Sequence, residues 1–405
     1  MEGATRLTRA GKVKEATAAI QRALGFGAGA AAPAAGKTPS AWQPAAESDG
    51  DVIDVEARVI DEPMVVDAPI GRPLSGDTTE ETEPGVFNFA PMQTPVREAP
   101  AAAPPSQADV DPGRFIDGSF TNAAGTRPYK LFVPSGSSST PRPMVVMLHG
   151  CKQNPADFAA GTHMNEIAQS RGWIVLYPGQ QKTANQMGCW NWFQEADQQR
   201  GRGEPSIIAD MARQVATEQG ADMSRIYVAG LSAGGAMAAI MATTYPELFA
   251  AAGIHSGLPH AAANDLVSAL QAMKKGPSSA SARAASGQER VVVPTIVFHG
   301  DRDTTVHPCN GEEVIARARF SSSQAAMASN SGRVESQHGQ VPGGHAYTRK
   351  IHRDERGVCD AEHWVIHGAG HAWSGGSATG SYTDPKGPDA SAEMLRFFEE
   401  HPRAR

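Results

Sequence analysis

The sequence predicts an α/β fold, a mainly parallel sheet with helices on both faces, preceded by a disordered N-terminal region. Three observations carry that expectation. From about residue 113 onward, short apolar strands alternate with segments of helical period, the rhythm of strand-helix-strand units. Runs such as Met144-Val145-Val146-Met147-Leu148 are apolar at every position, as strands are when helices cover both faces of a sheet. Finally, Arg225-Ile226-Tyr227-Val228-Ala229-Gly230-Leu231-Ser232-Ala233-Gly234-Gly235-Ala236 sets a Gly-x-Ser-x-Gly pattern between a β-branched strand and an Ala/Met helix.

Composition narrows the functional classes. A chain of 405 residues can bury a substantial core. Its net charge of −7, without Lys/Arg clusters or interleaved aromatics, argues against a nucleic-acid partner. No apolar run is long enough to span a bilayer. Residues 1–24 space Leu7, Val13, Ile20 and Leu24 as one helical face, which predicts an amphipathic helix that self-associates or docks on a partner. That segment lacks the apolar core of a signal peptide, so a cytoplasmic location is expected. Residues 25–112 are rich in Ala, Pro, Gly, Ser and acidic residues and read as a disordered linker. Two apolar islands interrupt it, Val52 to Ile60 and Val86-Phe87-Asn88-Phe89, each able to fold back on the domain or meet a partner. The four cysteines are too few for a disulfide scaffold. Buried reduced thiols are expected, with a Cys151–Cys189 pair left open.

The catalytic domain is expected over 113–405. Phe115 to Phe120 and Tyr129 to Val133 form an antiparallel pair turning at Asn122-Ala123-Ala124-Gly125. Met144 to Leu148 is a strand, Met164 to Ser170 a helix, and Trp173 to Tyr177 a strand stopped by Pro178. Helix Ile207 to Gln219 follows, its apolar residues at helical spacing. The strand at 225–230, the helix at 232–244 before Pro246, and strands Phe249 to Ile254 and Val291 to Phe298 continue the series. Trp364 to Ile366 is a short last strand and Ser391 to Glu400 the closing helix. Leu258 to Arg290 and Phe320 to His345 are polar and Gly/Ser-rich and read as surface insertions, the first a candidate cap.

The chemistry starts from Ser232. A Gly-rich packing turn is the plain alternative, but a strand before and a helix after favour a nucleophile. A Ser hydroxyl needs a base, and the base an orienting anion. In chain order the anion comes next, from His299-Gly300-Asp301-Arg302-Asp303. Asp303 is preferred, because Val306 can anchor its loop, while Asp301 beside Gly300 braces the turn. His371, beyond Gly368 and Gly370, is the expected base; His367 ends a strand and is expected to be structural. His338, His345 and His352 read as surface residues. Oxyanion donors are expected from the amides of Ala233 and Cys151, the latter in the turn Leu148-His149-Gly150-Cys151. The aromatic block Gly188-Cys189-Trp190-Asn191-Trp192-Phe193 is either core or, with Trp373, the wall of an acyl-chain pocket; Trp190, Trp192 and Trp373 are the candidate substrate contacts. No pattern suggests a metal or a cofactor.

These blocks, together with Gly370-His371-Ala372-Trp373-Ser374-Gly375-Gly376, make the chain from about Gly113 to Pro402 resemble the polyhydroxybutyrate depolymerase family of esterases, which includes feruloyl and acetyl-xylan esterases. The resemblance implies an α/β-hydrolase fold, Ser232, Asp303 and His371 as triad, and hydrolysis of a 3-hydroxyalkanoate ester. It also admits an extracellular location. Alternatives are a carbohydrate esterase for feruloyl or acetyl groups, and a non-catalytic granule-binding or scaffold protein with the same fold.

Overall fold

Chain order is β1 (Val52–Glu56), β2 (Arg114–Asn122), β3 (Gly125–Val133), β4 (Met144–Leu148), α1 (Pro155–Thr162), α2 (Met164–Arg171), β5 (Ile174–Pro178), α3 (Gly203–Glu218), β6 (Ile226–Leu231) and α4 (Ala233–Thr244). Then come β7 (Ala252–His255), α5 (Leu266–Lys275), β8 (Thr295–Gly300), α6 (Cys309–Arg319), β9 (Val334–Gln340), β10 (Ala346–Arg353), β11 (Cys359–Ile366), β12 (Trp373–Ser374), β13 (Thr383–Asp384) and α7 (Ala390–Glu400). The computed structural model describes residues 52–56, 113–278, 293–319, 333–354 and 356–404.

Among the described residues the main sheet runs β1-β9-β10-β11-β8-β7-β6-β4-β5-β3-β2. Its centre, β11-β8-β7-β6-β4-β5, is parallel throughout. Antiparallel pairs flank it, β3 and β2 on one side, β10 and β9 on the other. Side chains alternate along each central strand, so two cores form. Met144, Val146 and Leu148 of β4 join α3 and α4 through Ile208, Met211, Val215 and Met237. Val145 and Met147 face α1, α2 and α7 through Phe158, Met164, Leu395 and Phe398. Tyr227 of β6 stacks on Phe398 at 4.8 Å between ring centroids. Each such fully buried large side chain contributes roughly 1.5–3 kcal/mol of transfer free energy, which is why α7 closes over this face.

The central strands and the early hairpin follow the sequence expectation, with Gly125 at φ +137° closing the hairpin turn. The second insertion does not. Within it Val334–Gln340 is a strand, and Ala346–Arg353, just past its end, is another, so His338 and His352 lie in the sheet; residues 320–332 lie outside the described residues. Their polarity hid them, because β9 buries only Ser336 well. The first insertion contains α5, started by a capping box in which Asp265 accepts the Ser268 amide. α5 packs on the loop after β8, where the His307 amide donates to the Met273 carbonyl at 2.7 Å. Two further helices were not anticipated. In α1, Asn154 caps the Ala156 and Asp157 amides ahead of Pro155; α6 presents Val314 and Ile315 to the core. β8 begins at Thr295, after Pro294, and β11 reaches back to Cys359. The island Val52–Glu56 pairs in parallel with β9. The amphipathic helix at 1–24 and the rest of 25–112 lie outside the described residues, as does 279–290 of the first insertion.

Candidate active site

Ser232 ends β6 and begins α4 with φ 58° and ψ −117°, a conformation that costs a non-glycine residue energy and that the packing on either side must enforce. The flanking glycines permit it. A Cβ on Gly230 would collide with the Gly234 backbone, and one on Gly234 with the Leu148 carbonyl of β4. The Ser232 amide donates to the His255 carbonyl of β7 at 2.9 Å. Its hydroxyl makes no capping bond to α4.

The parallel strands deliver the other groups to the same sheet edge. Ile366 at the end of β11 pairs with Gly300 at the end of β8, and β8 lies beside β7. The loop after β8 carries Asp303, buried at 4 % exposure. Its Oδ1 accepts the amides of Thr305 and Val306, each at 2.8 Å, so Val306 anchors the loop. Its Oδ2 meets Nδ1 of His371 at 2.6 Å and Nε2 of His299 at 3.4 Å. Burial alone would raise the Asp303 pKa, but the bonds to His299 and His371 outweigh it and hold this carboxyl well below the usual range. Asp301 does brace the turn: it accepts the Gly368 amide at 2.7 Å and pairs with His367 at 3.0 Å.

His255 pins the loop that carries His371. Its Nε2 accepts the Ser374 amide at 3.0 Å, and its ring lies between Phe298 and Trp373. Burial, reinforced by the charges of His299 and His371, pushes its pKa well down, so it stays a neutral acceptor. Sequence reasoning missed it, because an internal histidine in an apolar strand carries no motif.

The turn after β4 lies against the serine: a Cβ placed on Gly150 would be 3.6 Å from the Ser232 Cβ. Burial lowers the His149 pKa to about 4, opposed by its bond to Gly150. His149 Nδ1 donates to the Gly150 carbonyl at 2.8 Å, and Nε2 accepts the Gln180 amide at 3.1 Å. Among the described residues, neither the Cys151 nor the Ala233 amide has a hydrogen-bond acceptor. Cys151 is bonded to Cys189 by a disulfide, which replaces the expected pair of reduced thiols there. Cys309 and Cys359 are free.

The aromatic wall is not formed. Trp190 and Trp192 sit in the core at 0 % and 6 % exposure, and Trp373 at 1 %. Trp373 bonds Ser391 through its indole N–H at 3.1 Å and meets Phe158 edge-on. It therefore roots the His371 loop in the helical layer of α1 and α7. Large aromatic area is worth more buried than exposed, and that decides the outcome. Among the described residues no group of three or more His, Cys, Asp or Glu is arranged to hold a metal, and no helix is long and apolar enough to cross a membrane.

Comparison with known proteins identifies the family and the fold. Residues 127–335 match the family model described as Esterase PHB depolymerase. Poly(3-hydroxyalkanoate) depolymerase C of Paucimonas lemoignei is 36% identical over 202 residues, 47% of this chain and 48% of that one. Probable acetylxylan esterase A of Aspergillus fumigatus is 30% identical over 203 residues, 47% and 53% of the two chains. The chain thus spans about half the length of the curated relatives it matches. Among solved structures, an acetyl xylan esterase from Aspergillus awamori superposes with a TM-score of 0.51 at 21% identity, covering 68% of this chain and 94% of that one, a likeness of fold. The fold is that of the α/β hydrolases, and the chain belongs to the PHB depolymerase family of esterases.

Proposed function

We propose that the protein is a serine esterase acting through an acyl-enzyme. Ser232 attacks the ester carbonyl while His371 takes its proton. Asp303 holds the imidazole through Nδ1 and balances the positive charge that develops. The carbonyl oxygen becomes an anion and is received by the Cys151 and Ala233 amides, a contribution of roughly 3 kcal/mol to the barrier for each donor. His371 then protonates the leaving alcohol, and water, activated by the same imidazole, releases the acid. The single observation carrying this reading is the 2.6 Å contact of His371 Nδ1 with the buried Asp303 carboxylate, on the sheet edge where Ser232 is held in its strained turn.

For substrate, we propose 3-hydroxybutyrate esters, as oligomer or polymer, on the strength of the 36% identity to the Paucimonas lemoignei depolymerase. A feruloyl or acetyl-xylan ester is the second reading. It is supported by the Aspergillus fumigatus relative and by feruloyl esterase B of Neurospora crassa, 37% identical over 142 residues, 35% of this chain and 47% of that one. Hydroxybutyrate oligomers, polymer film, methyl ferulate and acetylated xylan, assayed side by side, decide between them. The highest kcat/KM on the oligomer is expected. Turnover of methyl ferulate or acetylated xylan alone would overturn the first choice, and turnover of none would overturn the esterase reading.

A further inference from the structure

Glu204, near the start of α3, is far from the serine in sequence and makes no bond to the triad, yet it is buried at 3 % exposure. Both of its carboxylate oxygens accept. Oε2 takes the Asn191 amide at 2.7 Å; Oε1 takes Asn191 Nδ2 at 2.9 Å, Arg127 Nη2 at 3.2 Å and the side-chain amide of Gln180. A carboxylate so loaded fixes whatever its donors are attached to, because releasing any one leaves a buried polar group unpaired.

Those donors lead by two routes to one peptide group. Along the first, Gln180 spends its side-chain amide on Glu204 and on the Cys189 carbonyl at 2.9 Å, while its backbone N–H reaches His149 Nε2. That bond leaves the proton on Nδ1, which donates to the Gly150 carbonyl. Along the second, Asn191 is fastened to Glu204 and to Asn185 Nδ2 at 2.8 Å. Asn185 in turn accepts the amides of Met187 and Cys189, at 3.0 and 3.3 Å. Cys189 is joined by its disulfide to Cys151, and the Met187 carbonyl accepts the Lys152 amide at 2.9 Å. The peptide between Gly150 and Cys151 is therefore gripped from both ends. In a trans peptide the N–H points opposite to the C=O, so drawing the Gly150 carbonyl to His149 turns the Cys151 amide the other way.

We infer that Glu204 is a positioning residue that aims the Cys151 amide at the developing oxyanion, acting through Gln180 and His149 on one side and through Asn191 and the Cys151–Cys189 bridge on the other. The inference rests on the esterase reading. It concerns a transition-state contact, so a change at Glu204 acts on kcat and spares ground-state binding.

The test is Glu204→Gln, with Gln180→Leu as a second variant that cuts one route and leaves Glu204 bonded to Arg127 and Asn191. A short alkylboronic acid, which adds to a serine hydroxyl and places an oxygen where the oxyanion forms, is the probe. Glu204→Gln is expected to lower kcat about 30-fold with KM within about twofold, and to weaken boronate inhibition by the same factor. Gln180→Leu is expected to give a smaller loss of the same kind. The pH-rate profile keeps its shape, since the base is untouched. Should Glu204→Gln fail to fold, Gln180→Leu alone carries the test. Unchanged boronate affinity in a folded variant, or equal losses in boronate and ground-state binding, would overturn the role. A wild-type protein that neither turns over esters nor binds the boronate would sink the esterase reading itself.

Discussion

Nδ1 of His371 stands 2.6 Å from Oδ2 of Asp303, a carboxylate whose other oxygen is taken by two backbone amides. The side chain of Asp303 is wholly buried and that of His371 is only 13% exposed, so the pair is screened little by solvent. The carboxylate accepts from Nδ1 and so holds the imidazole in the tautomer that leaves Nε2 unprotonated.

Replacing Asp303 with Asn removes that hold. A drop in kcat of about 10⁴-fold on a short nitrophenyl ester is expected, with KM nearly unchanged. A loss below tenfold would contradict the role.

The same variant reports on stability. The folded Asp303 pKa is depressed, so its contribution is fully present above the unfolded carboxyl value near 3.9 and is lost as pH falls through the lower folded value. Urea denaturation should find Asp303→Asn less stable than wild type at pH 7, with the gap narrowing below about pH 4. A gap that widens on acidification would show that the carboxyl is not depressed.

Thiol counting tests the bridge. The unfolded, unreduced protein should titrate two thiols, from Cys309 and Cys359, and four after reduction. The bridge closes a sequence separation of 38, and losing such a cross-link costs about 4 kcal/mol on the chain-entropy account. Four thiols before reduction would refute the pairing.

Trp373→Ala separates anchor from pocket wall. As an anchor of the His371 loop, its loss should lower kcat and cost about 3–5 kcal/mol of stability, sparing KM. A large rise in KM at constant kcat would restore the wall.

Where residue type and local pattern suffice, the sequence was legible. The strand, turn and helix around Ser232 announce themselves through Gly230 and Gly234, which the packing against Leu148 demands. That Val306 anchors the loop of Asp303 and that Asp301 braces the turn were also readable, from the spacing after Gly300. What escaped depends on distant partners. β9 and β10 are polar strands that pair at the edge of a sheet already built, so periodicity did not mark them. The indoles of Trp190 and Trp373 could as well line a cleft as fill a core, and only the layers above them decide. Glu204 and His255 have no motif at all; their meaning is in the bonds they make.

The central claim is that one hydroxyl, that of Ser232, is nucleophilic because His371 activates it. Reaction with a fluorophosphonate, followed by peptide mass spectrometry, tests it most directly. A single adduct on the peptide containing Ser232, formed in the wild type and at least about 10³-fold more slowly in His371→Ala, is the expected result. Labelling elsewhere, or labelling of Ser232 at an undiminished rate without His371, would contradict it.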